Sequence, residues 1–312
     1  CAVDWASFFE PLHPQRVSLP TYAFQRERFW LESTPVNSLD VAAAGLALVE
    51  HPLLGAAVTL AETGGHLFTG RLSLDQHPWL AGHALFGEVI LPGTAFVELA
   101  LHAAHRIGFE QVEELTLQAP LPLPAHGGVL VQVSIGAPDD GDRRPLAIYA
   151  RPQDAPDDAP WTCHAAGILG PNAQDASFDL RTWPPADTVP LPIDELYDRL
   201  ARAGFGYGAD FRGLRAVWQR GRELFAEVHL PAHLATDAER FALHPALLDA
   251  ALHAIVGSLD DPAPVVPFSW TGVSLRSVGA SVLRVQLERR DDGASCTLHL
   301  AAAGGCQNSC VL

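Results

Sequence analysis

Two stretches of this chain are apolar around nearly the whole circumference of a helix: "GTAFVELALHAAHRIG" (residues 93–108) and "HPALLDAALHAIVG" (residues 244–257). A helix with no polar face has nowhere to sit at a surface, so other structure must surround it on most sides. In the first, Thr94 reads as the N-cap and Gly108 as the stop. Its polar residues Glu98, His102 and His105 fall at i, i+4 and i+7, a single narrow stripe. In the second, Pro245 lies in the first turn, where the missing N–H costs nothing.

What surrounds each helix reads as strand. Before and after the first come "HPLLGAAVTL", "HLFTGRLSL", "VEELTLQAPLPL", "GGVLVQVSIGA", "RPLAIYARP" and "WTCHAAGIL". Around the second come "LRAVWQ", "ELFAEVHL", "PVVPFSWTGVSL", "SVLRVQLERR" and "SCTLHLAA", preceded by the amphipathic helix "IDELYDRLARAG". One plan thus occurs twice, and antiparallel strands about one buried helix form a sheet wrapped around that helix. The expected class is α+β, a double hot dog: two antiparallel sheets, each wrapped around a long central helix. The expected units are an N-terminal hot dog over 49–170, a Pro/Asp/Ala-rich linker over 171–190 and a C-terminal hot dog over 191–312. Residues 34–48 read as a variable linker. Residues 1–33 read as an extended connector whose Tyr, Phe and Trp side chains lie across a surface.

Charge narrows the partners. All positive charge comes from Arg, and a net charge of -16 repels phosphate backbones and anionic membrane surfaces. No apolar run reaches the roughly 18 residues that span a bilayer. Five Cys is an odd count for a disulfide framework, which points to a reducing cytoplasm. With no Met in the chain, its first residue reads as an internal one, so a piece of a longer protein is expected.

Three constellations carry chemistry. In "AGHALFGEVILPGTAF", His83, Gly87, Pro92 and Gly93 interrupt an apolar run just before a helix start. Free backbone N–H groups there favour negative charge, Gly87 permits close approach, and His83 supplies an imidazole. A base beside an oxyanion site is what proton removal next to a carbonyl needs. Taken alone, a lone histidine in such a run is more often a core residue satisfied by a backbone carbonyl. The second constellation is Asp249-x-x-x-His253, which shares one face of the second buried helix. An apolar setting would hold the carboxyl neutral and make it a proton donor, unless that face is merely solvated. The third, "GFGYGADFRG", fits a dinucleotide fingerprint only formally, because it follows a helix and not a strand. It reads as a glycine-rich turn displaying Tyr207, or as an ordinary turn with a packed tyrosine.

Other signals are weaker. His102 and His105 lack the partners of a metal site, and Cys296, Cys306 and Cys310 lack zinc spacing. No G-x-S-x-G or P-loop occurs.

In order along the chain, His83-x-x-x-Gly87-x-x-x-x-Pro92, Tyr207-Gly208-x-x-Phe211 and Asp249-x-x-x-His253 resemble the dehydratase domain of a modular type I polyketide synthase. "HPLLG", "HPWLAGH", "LPGTAFVELAL" and "VPFSWTGVSL" are similar too, and "LPTYAFQRERFWL" resembles the linker after an acyltransferase domain. The resemblance implies a 3-hydroxyacyl-[acyl-carrier-protein] dehydratase, with His83 as general base and Asp249 as general acid. His253 and Tyr207 would support them, and Gly87, Leu91, Pro92, Gly93 and Phe211 would bind substrate. It implies no metal or other cofactor of the chain's own, since the substrate rides on the phosphopantetheine arm of an acyl carrier protein. Neighbouring synthase domains and a homodimer follow from it as well. Two departures stand out. Ala209 replaces a usual Pro, which predicts a looser loop at Tyr207, and the ending "AAAGGCQNSCVL" does not read as a core strand. A non-catalytic acyl-binding or scaffolding double hot dog and a hot-dog thioesterase are the competing readings.

Overall fold

In a computed structural model of the chain, the described residues are 4–13, 15, 41–171, 178–257, 266–290, 295–302 and 307–311. Residues 1–39 and 40–312 are separate units. In the first, helix α1 (Trp5–Phe9) is capped by Asp4, whose carboxylate accepts from the Ala6 and Ser7 N–H groups. The connector over 17–33 and residues 34–40 of the linker over 34–48 lie outside the described residues.

In the second unit, alternation sets the strands: Val129–Ile135 buries every other side chain along its whole length. The first half runs β1 (Ala47–His51), β2 (Leu54–Thr59), β3 (His66–Leu72), β4 (His83–Leu85), β5 (Glu88–Val89), helix α2 (Gly93–Arg106), β6 (Gln111–Leu117), β7 (Val129–Ile135), β8 (Arg144–Pro152) and β9 (Thr162–Gly170). The second half runs β10 (Val189–Leu191), α3 (Leu196–Arg202), β11 (Phe205–Tyr207), β12 (Leu214–Arg220), β13 (Glu223–His229), α4 (Ala235–Ala238), α5 (Pro245–Gly257), β14 (Ser269–Ser274), β15 (Val282–Arg289), β16 (Cys296–Ala302) and β17 (Gln307–Val311). Helices α2 and α5 are the two buried ones. Phe96, Leu99 and Ala100 on the first, and Leu247, Ala250 and Ala251 on the second, are almost wholly removed from solvent.

The two expected sheets are joined. One antiparallel sheet of 14 strands runs β1-β2-β3-β7-β8-β9-β6-β14-β17-β16-β15-β13-β12-β10, and β6 meets β14 where the two wraps fuse. The C-terminal segment corrects the reading that this ending holds no core strand. Gln307–Val311 is a strand between β14 and β16, pairing Thr297 with Val311 and Ser274 with Ser309. The linker between the halves is packed against the second half from Phe178 onward. Phe178, Leu180 and Trp183 pack with Phe225 and Ala301, Arg284 donates to the Leu180 carbonyl, and residues 189–191 form the edge strand β10.

A second, three-stranded sheet of order β11-β4-β5 ties the halves together at a distance of some 120 residues in sequence. Leu85 pairs with Glu88 across a two-residue turn in which Phe86 (φ 51°) and Gly87 (φ 84°) are both left-handed. That is a type I′ hairpin turn, which asks for glycine. Gly87 therefore owes its place to the turn and not to close approach, since a Cβ there would meet no heavy atom within 4 Å.

Candidate active site

The pairing of β4 with β11 sets His83 directly opposite Tyr207, so their side chains leave the ribbon on the same face. Close backbone contact permits this. The Gly208 N–H bonds to the Gly82 carbonyl at 2.8 Å, and a Cβ on Gly208 would stand 2.8 Å from the Gly82 Cα. A side chain at Gly208 would push the halves apart, whereas one at Gly82 would press only on the Phe211 ring, at 3.3 Å. Phe211, fully buried at the end of the following 3-10 turn, places its ring 5.2 Å from that of His83. Around Ala209 the loop is tied by the Phe211 N–H on the Gly208 carbonyl and by Arg212 Nε, which donates to the Tyr207 carbonyl at 2.9 Å.

His83 is 9 % exposed, and its Nδ1 lies 2.9 Å from the Ile90 carbonyl oxygen. A carbonyl can only accept, so Nδ1 carries the proton and Nε2 is left with a lone pair. The ordinary reading of a core histidine is thus true of one ring nitrogen, and it is what frees the other.

From the second half, Asp249 and His253 rise one turn apart on α5, with Nε2 of His253 3.1 Å from Oδ2 of Asp249. Among the described residues, Oδ1 of Asp249 takes no hydrogen bond. Burial pushes this carboxyl up, but the His253 hydrogen bond and the imidazoles of His83 and His253 outweigh it and leave it below the ordinary range. Apolar surroundings alone would keep the carboxyl neutral, and the neighbouring imidazoles act the other way. His83 of the first half and His253 of the second both lie against one aromatic ring, that of Tyr207.

Tyr207 stands between them. Its ring lies 5.7 Å from that of His83 and 4.2 Å from that of His253, and burial, with the charge of Asp249, drives its hydroxyl far above the usual tyrosine value. Tyr197, on α3, was not singled out by sequence. Its hydroxyl lies 3.4 Å from Nδ1 of His253 and accepts the Leu214 N–H at 3.3 Å.

The remaining expected residues fall nearby. Pro92 is the N-cap of α2 in an extended conformation and Gly93 its first residue, so the Gly93 and Thr94 N–H groups lie ahead of the helix's own ladder. A Cβ on Gly93 would come within 3.0 Å of Leu117. Leu91 is buried in the core, with its N–H on the Leu121 carbonyl. Thr94 is not the cap. It sits inside the helix, fully buried, and its hydroxyl donates to the Pro245 carbonyl at 3.0 Å. Among the described residues, no three His, Cys, Asp or Glu side chains are placed to hold a metal ion, and no helix is long and apolar enough to cross a membrane.

An antiparallel sheet wrapped twice around central helices, with a histidine of one half and an aspartate–histidine pair of the other on either side of one tyrosine, fits a class of double hot-dog hydro-lyases. Known proteins agree. The family described as "Polyketide synthase dehydratase domain" matches residues 51–151, and that described as "Polyketide synthase dehydratase N-terminal domain" matches 175–306. Polyketide synthase GfsA of Streptomyces halstedii is 52% identical over 299 residues, covering 94% of this chain but only 4% of that synthase. The dehydratase domain from the terminal module of the rifamycin polyketide synthase superposes with a TM-score of 0.81 at 44% identity, covering 87% of this chain and 98% of that one. The erythromycin dehydratase gives 0.79 at 40% identity, with the same coverage. The chain belongs to the dehydratase domains of modular type I polyketide synthases. Its activity is the dehydration step of polyketide processing.

Proposed function

We propose that the chain removes water from a 3-hydroxyacyl group carried as a thioester on the phosphopantetheine arm of an acyl carrier protein, leaving the 2-enoyl thioester. The observation that carries the division of labour is the free Nε2 of His83, created by the hold of Ile90 on Nδ1. That nitrogen takes the proton from C2. As the electron pair moves toward the thioester, the N–H groups at the start of α2 receive the charge growing on its oxygen. The C3 hydroxyl, set at Oδ1 of Asp249, takes a proton from the Asp249–His253 pair and departs as water while the double bond forms. The pair must therefore hold one proton at the start, and the proton gained by His83 returns the site to its first state through solvent. Acid and base each contribute about a hundredfold to ten-thousandfold.

Tyr207 and Phe211 wall the space between the two groups, which keeps bulk water from the developing enolate. The partners of the reading are the acyl carrier protein and neighbouring synthase domains. A homodimer in the cytoplasm accompanies it through the family alone.

The test is incubation with a 3-hydroxyacyl thioester followed by mass spectrometry. Loss of the mass of one water is expected. Free acid would replace the reading with a thioesterase, and an unchanged substrate bound by the protein would replace it with a carrier or scaffold.

A further inference from the structure

We infer that Tyr197 is a positioning residue of the acid, acting on Asp249 through His253. The inference rests on the reading above that Asp249 and His253 form the acid pair.

Three contacts in series support it. The Leu214 N–H, at the start of β12, fixes the Tyr197 oxygen at 3.3 Å. That oxygen lies 3.4 Å from Nδ1 of His253, and Nε2 of the same ring lies 3.1 Å from Oδ2 of Asp249. The chain of contacts runs from main chain to carboxyl without passing through solvent: Tyr197 is largely buried, and His253 is 3 % exposed.

The chemistry demands such a partner. A ring whose Nε2 holds Asp249 must change what its Nδ1 offers as the charge of that carboxyl changes. When the ring is charged, Nδ1 bears a proton and needs an acceptor. When the pair has given up its proton and Asp249 is a carboxylate, the neutral ring does best with its proton on Nε2, facing Asp249, and then Nδ1 needs a donor. A backbone carbonyl serves the first state only, as Ile90 does for His83. A backbone N–H serves the second only. A phenol hydroxyl serves both by rotating about its C–O bond, and its oxygen still accepts the Leu214 N–H. Burial, the larger cause, and the Asp249 charge push the Tyr197 hydroxyl up to about 12, so it keeps its proton throughout. The two imidazoles of the site are thereby held in opposite ways. His83 is locked into one tautomer, and His253 is held by a group that follows its tautomer.

Tyr197→Phe removes the oxygen and keeps the ring that packs against Tyr207 and beneath Arg212. With a small 3-hydroxyacyl thioester, kcat should fall about tenfold while KM stays within about twofold. In a His253→Gln background, which has no ring nitrogen for the phenol to meet, the same change should cost less than about twofold. Equal losses in both backgrounds would mean that Tyr197 acts by packing alone and would sink the inference. A spectroscopic reading does not depend on catalysis: the ring 15N signals of His253 should move in Tyr197→Phe, and unmoved signals would count against the contact. The parent protein gives a check that needs no variant, an exchange-protected proton on the Nδ1 side of His253 with an Overhauser contact to the Leu214 amide. Its absence would overturn the inference even if the variant did not fold. Activity surviving in Asp249→Asn, with the His253 signals still tied to Tyr197, would instead indict the assignment of the acid and leave the contact standing.

Discussion

Each central helix buries one carboxylate, and the two are used in opposite ways. Glu98 on α2 is 1 % exposed and fully engaged: Oε1 accepts the Ala242 N–H and Oε2 the Leu243 N–H, both at 2.8 Å, while His51 Nε2 stands 3.1 Å from Oε1. Asp249 on α5 is 6 % exposed and has one oxygen held, by His253, with the other open among the described residues. Both sit in surroundings that penalise charge. A carboxylate with both oxygens held by its own protein has little capacity left for a substrate, and it fastens one element to another. Glu98 ties α2 to the segment that leads into α5, beside the Thr94 bond to Pro245 O. An oxygen without a protein donor among the described residues, more than burial or charge, separates the carboxylate of the site from the carboxylate of the scaffold.

The largest effect should come from the open carboxylate. Asp249→Asn keeps the shape and the His253 contact but cannot deliver a proton, so dehydration and the reverse hydration should both fall by about a hundredfold or more. His83→Phe should do the same with an unchanged circular dichroism spectrum. An Asn variant as fast as the parent would erase the contrast between the two helices.

Acid should strike the scaffold carboxylate's neighbourhood first. His244, beside Leu243 and wholly buried, is held down to about 3 by burial, and so is His102, whose ring lies 4.3 Å from that of His51, by burial and then by charge from His51. The unfolded chain binds protons at these positions before the folded one does. Their contribution is therefore whole above about pH 6.5 and lost as the pH falls toward about 3. By pH 5 His244 alone should cost roughly 2 kcal/mol, and partly exposed His102 somewhat less. Denaturant midpoints that stay flat between pH 7 and pH 5 would contradict this.

Glu98→Gln leaves one of its backbone donors facing an amide N–H. A loss of about 1–3 kcal/mol in unfolding free energy is expected, with the rate per folded molecule far less affected than in Asp249→Asn. A Gln variant with parental stability and no activity would place Glu98 with the chemistry. The smallest effect belongs to His253→Gln, expected to stay within about tenfold of the parent because the amide still donates to Asp249, about 1.4 kcal/mol of barrier. His253→Leu, with no donor, should lose much more. Matched severe losses would show that the ring must carry protons as well as hold the carboxyl.

Much of this was legible in the chain. The two helices without a polar face imposed the wrapped sheet, and long alternating runs such as "GGVLVQVSIGA" marked its strands. Asp249 and His253 were found because a four-residue spacing has only one meaning on a helix. Elements whose reason lies elsewhere in the chain were not legible. Strands β4, β5 and β11 have three residues or fewer, too few for alternation to show, and exist because they pair with one another. Strand β17 has a polar sequence, "QNSCV", and is specified by the gap between β14 and β16. Tyr197 lies in an amphipathic helix where any aromatic reads as core packing. Thr94 looked like a cap because a threonine before a helix usually is one, whereas here an acceptor from the other half claimed its hydroxyl.

The contact of Gly82 with Gly208 has a meaning for how such chains recombine. A crossover between two relatives near residue 180 would leave each wrapped half whole, yet the catalytic pair would be reassembled from different parents. Alignment then depends on a ribbon only three residue pairs long, where a slip of one position turns His83 to the opposite face. Hybrids that keep glycine at Gly208 should retain the parental register. Those that bring a side chain there should fold as well as their parents and turn over almost nothing.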